Sequence, residues 1–140
     1  MPLVRLVYAS TIAADFEPDN IESILHTSRI NNQQHDITGV LFFSSRYFLQ
    51  CLEGERQAVC DTYHRIACDT RHDRPVILHF AEIVARDFAD WAMGYVPTNR
   101  VTDSLNQHFL GDNDFQPYTM SMAAAIQMVD ALRNCLDTQA

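Results

Sequence analysis

The feature that most constrains the fold lies near the middle of the chain. Ile37-Thr38-Gly39-Val40-Leu41-Phe42-Phe43 reads as a buried strand, Ser44-Ser45-Arg46 as turn material, and Tyr47 to Leu52 as the returning strand. Two apolar runs joined by so short a polar connection predict a β-hairpin. Glu53-Gly54 is expected to stop the second strand. What flanks the hairpin then sets the topology.

Before it, Leu3 to Ala9 reads as a β-branched strand that reaches Tyr8 near its end. Pro18-Asp19-Asn20-Ile21-Glu22 supplies helix-start chemistry, with Asp19 and Glu22 spaced as a capping box. Ile21, Ile24, Leu25 and Ser28 fall on one helical face, and Asn31-Asn32 ends the apolar periodicity. After the hairpin a second amphipathic helix starts at Glu55 and carries Val59, Tyr63, Ile66 and Ala67 at helical spacing. Arg71 to Arg74 reads as a polar loop, Pro75 to Val84 as a strand, and Trp91 to Val96 as a short fifth strand closed by Pro97. The order β-α-β-β-α-β-β suits an α+β, ferredoxin-like sandwich with both helices on one face of a five-stranded sheet.

Beyond Pro97 the composition turns polar at Thr98-Asn99-Arg100, as a linker would. A short helix is expected over Asp103 to Leu110 with Gly111 as its C-cap, and a last helix from Pro117. Met122, Ile126, Val129, Leu132 and Leu136 would form the apolar stripe of that last helix. The expected division is therefore a domain over 1–97 and a helical extension over 98–140, acting as a cap or a signal relay.

Bulk properties remove several function classes. A chain of 140 residues that is 47% hydrophobic can bury one ordinary core without a metal or disulfide staple. The net charge of -8, with ten scattered basic residues, argues against nucleic acid as the main partner. The apolar runs are far below the roughly 20 residues of a membrane helix. Met1-Pro2-Leu3-Val4 does not open like a signal peptide, so a cytoplasmic protein without a membrane partner is expected. Cys51, Cys60, Cys68 and Cys135 fit no metal spacing or disulfide framework and read as small hydrophobes in a reducing compartment. The six histidines are equally dispersed, so no metal site is expected. The four glycines, Gly39, Gly54, Gly94 and Gly111, are isolated, which rules out a glycine-rich phosphate cradle. There is no Gly-x-Ser-x-Gly elbow or His-Glu-x-x-His either.

What remains is polarity inside apolar elements. Gln50 shares a strand face with Phe48 and Leu52. A buried amide without partners costs about 1–3 kcal/mol, so a buried Gln50 needs a partner. The alternative is an amide on the solvent side of an edge strand. Tyr8 alone reads as a core tyrosine with a satisfied hydroxyl, and Asn31 and Asn32 as a helix C-terminus. Trp91 and Met93 share a strand face, where core packing is the ordinary reading.

Together these pieces resemble one family, the BLUF domains, sensors of blue light using FAD. The resemblance runs from Leu3 to about Pro97. It is carried by Leu6-Val7-Tyr8-Ala9-Ser10, Ser28-Arg29-Ile30-Asn31-Asn32, Ile37-Thr38-Gly39-Val40-Leu41, Phe48-Leu49-Gln50-Cys51-Leu52-Glu53-Gly54 and Phe88-Ala89-Asp90-Trp91-Ala92-Met93. It implies that Tyr8, Asn32 and Gln50 lie nearest the reactive edge of a flavin, with Ser28 and Asn31 as neighbouring contacts. It further implies that Ile24 and Ile66 sandwich the ring, and that Arg65, Asp69, Arg71 and His72 lie toward the ribityl and phosphate end. Trp91 and Met93 complete the implied photoactive set.

The cofactor so implied is FAD, with FMN or riboflavin able to occupy recombinant protein. The function implied is that of a bacterial photoreceptor without turnover, which signals to an unnamed protein partner; self-association is left open. Two readings compete: a small flavin-dependent oxidoreductase, and a cofactor-free ferredoxin-like interaction domain.

Overall fold

The structure is a computed structural model describing residues 2–14, 16–17, 20–44, 46–96 and 117–139. Strand β1 (Leu3–Ile12) leads through helix α1 (Asn20–Gln34) into the hairpin β2 (Thr38–Ser44) and β3 (Tyr47–Glu55). Helix α2 (Arg56–Ala67), edge strand β4 (His72–Ile83) and the short β5 (Gly94–Val96) follow, then a 3-10 turn (Pro117–Thr119) and helix α3 (Met122–Gln139). The sheet order is β4-β1-β3-β2-β5, antiparallel throughout except for the parallel β2–β5 pair. The ferredoxin-like expectation therefore holds, and β3 lies at the centre of the sheet.

Period-2 alternation divides the sheet's two faces. Val4, Leu6, Tyr8, Leu41, Phe48 and Leu52 pack beneath Ile21 and Leu25 of α1 and Val59 of α2. Val7, Val40, Phe42, Leu49, Cys51 and Val96 face the other way and are covered by α3. Each large aliphatic or aromatic side chain so buried contributes roughly 1.5–3 kcal/mol, and this covering makes both faces stable.

Several boundaries differ from the sequence reading. Glu53 and Gly54 do not stop β3; they continue it, pairing with Arg5 and Val4 of β1. Strand β4 starts at His72, inside the expected Arg71–Arg74 loop, because Ile12 and Thr11 pair with His72 and Asp73. The irregularity expected of a loop survives as a register shift, with Arg74 at φ 56°. The fifth strand contracts to Gly94–Val96. The carbonyls of residues 91–93 are instead taken by the Gly39 N–H at 3.0 Å, Asn32 Nδ2 at 2.7 Å and Arg29 Nε at 3.0 Å. Gly39 also lets β2 lie close against β3, since a Cβ there would collide with the Cys51 carbonyl.

At the C-terminus, Pro117 opens the 3-10 turn and Ser121 caps α3, its Oγ accepting the Ala124 N–H at 3.0 Å. The buried stripe is Ala125, Met128, Val129, Leu132, Cys135 and Leu136. Met122, expected in that stripe, is 57% exposed and Ile126 is half-buried. The line turned toward the sheet runs through Ala125 and Met128 as well as Val129, Leu132 and Leu136, rotated from the expected one. The Asp19 capping position, the linker after Pro97, and the Asp103–Leu110 helix with its Gly111 cap lie outside the described residues. All four cysteines are free; Cys51 and Cys135 are buried as small hydrophobes, while Cys68 is exposed.

Candidate functional site

Strands β1 and β3 place Tyr8 directly opposite Gln50, and β2 places Leu41 on the other side of Gln50. All three point to the face covered by α1 and α2. The facing sides of those helices contribute Ile24, Ser28 and Ile66, and between helices and sheet runs a cleft. It is lined by Tyr8, Ile24, Ser28, Leu41, Phe48, Gln50, Ile66, Asp69, Arg71 and His72. Counting its open mouth, it holds about 420 Å³ of space between atoms.

Gln50 is buried at the floor, and both ends of its amide are engaged. Its Oε1 accepts the Tyr8 hydroxyl, and its Nε2 donates to Met93 Sδ at 3.4 Å. Tyr8 meets Tyr63 edge-on, with ring centroids 5.3 Å apart. Burial pushes the Tyr8 hydroxyl well above the usual phenol range, with smaller contributions from Tyr63 and Asp69. The phenol therefore holds its proton firmly in the resting arrangement.

Polar groups gather at the mouth. Arg71 clasps Asp69 through Nε at 3.0 and 3.1 Å and Nη2 at 2.5 Å. This hydrogen bonding holds the Asp69 carboxyl below, and the Arg71 guanidinium above, its ordinary range. His72 bonds the Ile66 carbonyl through Nε2 at 2.6 Å, while its buried Nδ1 has no partner among the described residues. Facing a carbonyl, Nε2 is the donor of that bond.

Most of the expected flavin contacts line this cleft, but three of them do not. Asn32 is buried beside it, with Nδ2 committed to the Ala92 carbonyl. Asn31 is half-buried, and its backbone carbonyl bonds His35 Nδ1 at 2.7 Å. Arg65 is exposed on α2. Trp91 and Met93 were expected on one strand face, and the structure separates them. Their segment is not a strand, so Met93 turns inward to Gln50 while Trp91 packs against Phe88 on the α3 side, ring centroids 6.4 Å apart. Trp91 thus does not join the Tyr8–Gln50 cluster.

Leu41 and Phe48 also line the cleft, beyond the expected contacts. The hairpin register of Phe43 opposite Phe48 would have placed Leu41 beside Gln50. Glu53, expected only as a strand stop, is fully buried. It accepts the Phe88 N–H at 2.8 Å and the Asp87 N–H at 3.0 and 3.1 Å, and it pairs with Arg5 at 3.2 Å. Its only sequence signal was a charge adjoining an apolar strand. Among the described residues no group of acids, thiols and imidazoles is placed to hold a metal, and no helix is long and apolar enough to cross a membrane.

Residues 3–94 match the BLUF family, described as sensors of blue-light using FAD. The chain belongs to the BLUF family. Among solved BLUF-like structures, the photo-activated state of BlsA superposes with a TM-score of 0.87 at 30% identity, covering 94% of each chain. The dark state of BlrB, a BLUF protein, gives 0.72 at 27% identity, covering 94% of this chain and 96% of that one. Among curated relatives, the photoactivated adenylate cyclase subunit beta of Euglena longa is 33% identical over 128 residues. The blue light- and temperature-regulated antirepressor BluF of Escherichia coli K12 is 35% identical over 91 residues. These alignments cover 84% and 65% of this BLUF chain but only 15% and 23% of the relatives. A flavin suits the cleft's chemistry: aliphatic walls on two helices, the Gln50 amide at the floor, and a buried His72 Nδ1 without a partner among the described residues.

Proposed function

We propose that this protein binds a flavin non-covalently between α1 and α2 and acts as a reversible blue-light switch whose working pair is Tyr8 and Gln50. The observation that carries the proposal is the buried hydrogen bond from the Tyr8 hydroxyl to Gln50 Oε1, with Gln50 Nε2 on Met93 Sδ at 3.4 Å. A bound flavin supplies a strong oxidant on absorbing blue light. Tyr8 is the adjacent donor of one electron and one proton.

Because burial disfavours the phenolate, Tyr8 would give up its proton only together with the electron, both being accepted by the light-excited flavin, with the proton passing along the bond to Gln50. Gln50 then loses the donor that fixed its carbonyl. A half-turn of the amide would present an N–H to the Tyr8 oxygen and give up the weak bond to Met93 Sδ; tautomerisation in place would instead present an O–H to Tyr8 and leave Nε2 one proton fewer to donate. When electron and proton return to Tyr8, the new arrangement of Gln50 persists as the signalling state, and its altered hydrogen bonding to the ligand gives red-shifted absorption. No atom is lost or gained in the cycle.

Ile24 and Ile66 would flank the ring, with Ser28, Asn31 and Asn32 toward its carbonyl edge. Asp69, Arg71 and His72 would meet the ribityl and phosphate end, with Arg65 reaching in from the surface of α2. FAD is the proposed native ligand, and FMN or riboflavin share the ring contacts. The named relatives include a photoactivated cyclase and an antirepressor, which supports coupling to a downstream protein for this cytoplasmic chain too. Turnover as an oxidoreductase is disfavoured because Tyr8, Gln50 and Met93 crowd the floor where a second substrate would enter.

Tyr8→Phe and Gln50→Leu test the pair. Both variants should bind flavin and form no lasting red-shifted state. Persistence of that state in either variant overturns the assigned pair, and a wild-type protein that takes up none of FAD, FMN and riboflavin overturns the site itself.

A further inference from the structure

The irregular segment from Arg86 to Met93 touches the Gln50 floor at one end and α3 at the other. At its inner end, Met93 Sδ meets Gln50 Nε2 and Asn32 holds the Ala92 carbonyl. At its outer end, Glu53 pins the segment to β3 through the Asp87 and Phe88 N–H groups, and Arg5 bridges Glu53 and Asp87. Glu53 lies on the same strand as Gln50 and is wholly buried, so this end is a fixed pivot. The C-terminal helix is attached next to that pivot: Arg133 Nε donates to the Asp87 carbonyl at 2.6 Å. A short, charge-assisted bond of this kind is directional and about twice as strong as a neutral one.

We propose that Arg133 is the positioning residue that couples α3 to the cleft, reading through the Asp87 carbonyl a movement of the Met93 segment about Glu53. This rests on the light-switch reading above. Apolar contact alone would let α3 slide over the sheet without registering a small rotation of the segment. The Arg133 bond fixes one point of the helix to the segment's backbone. When Gln50 gives up Met93 Sδ, the inner end is released, the Asp87 carbonyl turns, and the helix loses or tightens that fixed point.

The test is backbone hydrogen exchange over residues 122–136, in dark and illuminated full-length protein loaded with FAD, for wild type, Arg133→Gln and Leu136→Ala. Leu136 packs on β5, so its truncation loosens α3 without touching the Arg133 bond. Wild type should show a light-minus-dark difference in α3. Arg133→Gln should raise dark exchange there about fivefold and abolish the difference while the red shift still forms. Leu136→Ala should raise exchange in both states and keep the difference. The proposal is overturned if Arg133→Gln retains the wild-type difference, if Leu136→Ala abolishes it equally, or if wild type shows none while its red shift forms. A wild-type protein with no red shift at all refutes instead the light-switch reading.

Discussion

Replacing Glu53 with alanine should be among the most destabilising single changes available in this chain. Three partners lose their acceptor at once: the Phe88 N–H at 2.8 Å, the Asp87 N–H at 3.0 Å, and Arg5 Nε at 3.2 Å. Phe88 is fully buried, so water does not replace the lost carboxylate at its amide. An orphaned buried donor costs about 1–3 kcal/mol, and breaking one side of a buried ion pair about 3–5 kcal/mol. These figures overlap, since Arg5 keeps its pairing with half-exposed Asp87, and a net loss of about 3–5 kcal/mol is expected. For a chain of this size that lowers the melting temperature by roughly 10–20 °C. Glu53→Gln retains a carbonyl for the amides but turns a donor toward Arg5, so its loss should be smaller, about 1–3 kcal/mol. Urea and thermal unfolding followed by far-ultraviolet circular dichroism read both directly. A loss under about 1 kcal/mol for Glu53→Ala would refute the pivot role, because it falls below what orphaned donors and a broken buried ion pair should cost together.

Asn32→Ala removes the amide that holds the Ala92 carbonyl and borders the cleft, and FAD affinity should fall about tenfold, the equivalent of 1.4 kcal/mol. Unchanged affinity in a fluorescence titration counts against Asn32 as a ligand contact. His79 should make stability fall with acid. Burial, aided by the nearby Arg5 charge, depresses its folded-state pKa below the unfolded value of about 6.5, so the unfolded chain binds more protons. Its contribution is complete above that value and declines as the pH drops from about 6.5 toward the lower folded pKa. Replacing His79 with glutamine should flatten the stability profile in that window, and an unaltered slope would assign the proton uptake elsewhere.

The hairpin, both amphipathic helices and their order were legible because each rests on local periodicity. The end of β3 was not: Glu53 and Gly54 look like a strand stop until β1 supplies partners for them, and that pairing spans about fifty residues of sequence. Residues 91–93 alternate like a strand, yet three of their carbonyls go to α1 and β2, a fact set by tertiary packing. Likewise the face of α3 is shared between expected residues, Val129, Leu132 and Leu136, and Ala125 and Met128, which only packing against the sheet adds. At the site, Tyr8 and Gln50 became readable through their family resemblance. Residue chemistry alone left Gln50 open to an edge-strand placement, because only the sheet order shows β3 to be central. Trp91 was assigned beside Met93 by strand parity, and the loss of the strand there moved it to the opposite face.

The most direct measurement is the absorption spectrum of the full-length protein, reconstituted with FAD, in the dark, after blue light, and again after a dark interval. A working Tyr8–Gln50 switch predicts a flavin spectrum that shifts to longer wavelength on illumination without bleaching and returns completely in the dark. Tyr8→Phe, measured alongside, should give the dark spectrum throughout. A bound flavin whose spectrum stays fixed under blue light, or one that bleaches and recovers only with added oxidant, would contradict a hydrogen-bond switch and point to redox turnover in its place.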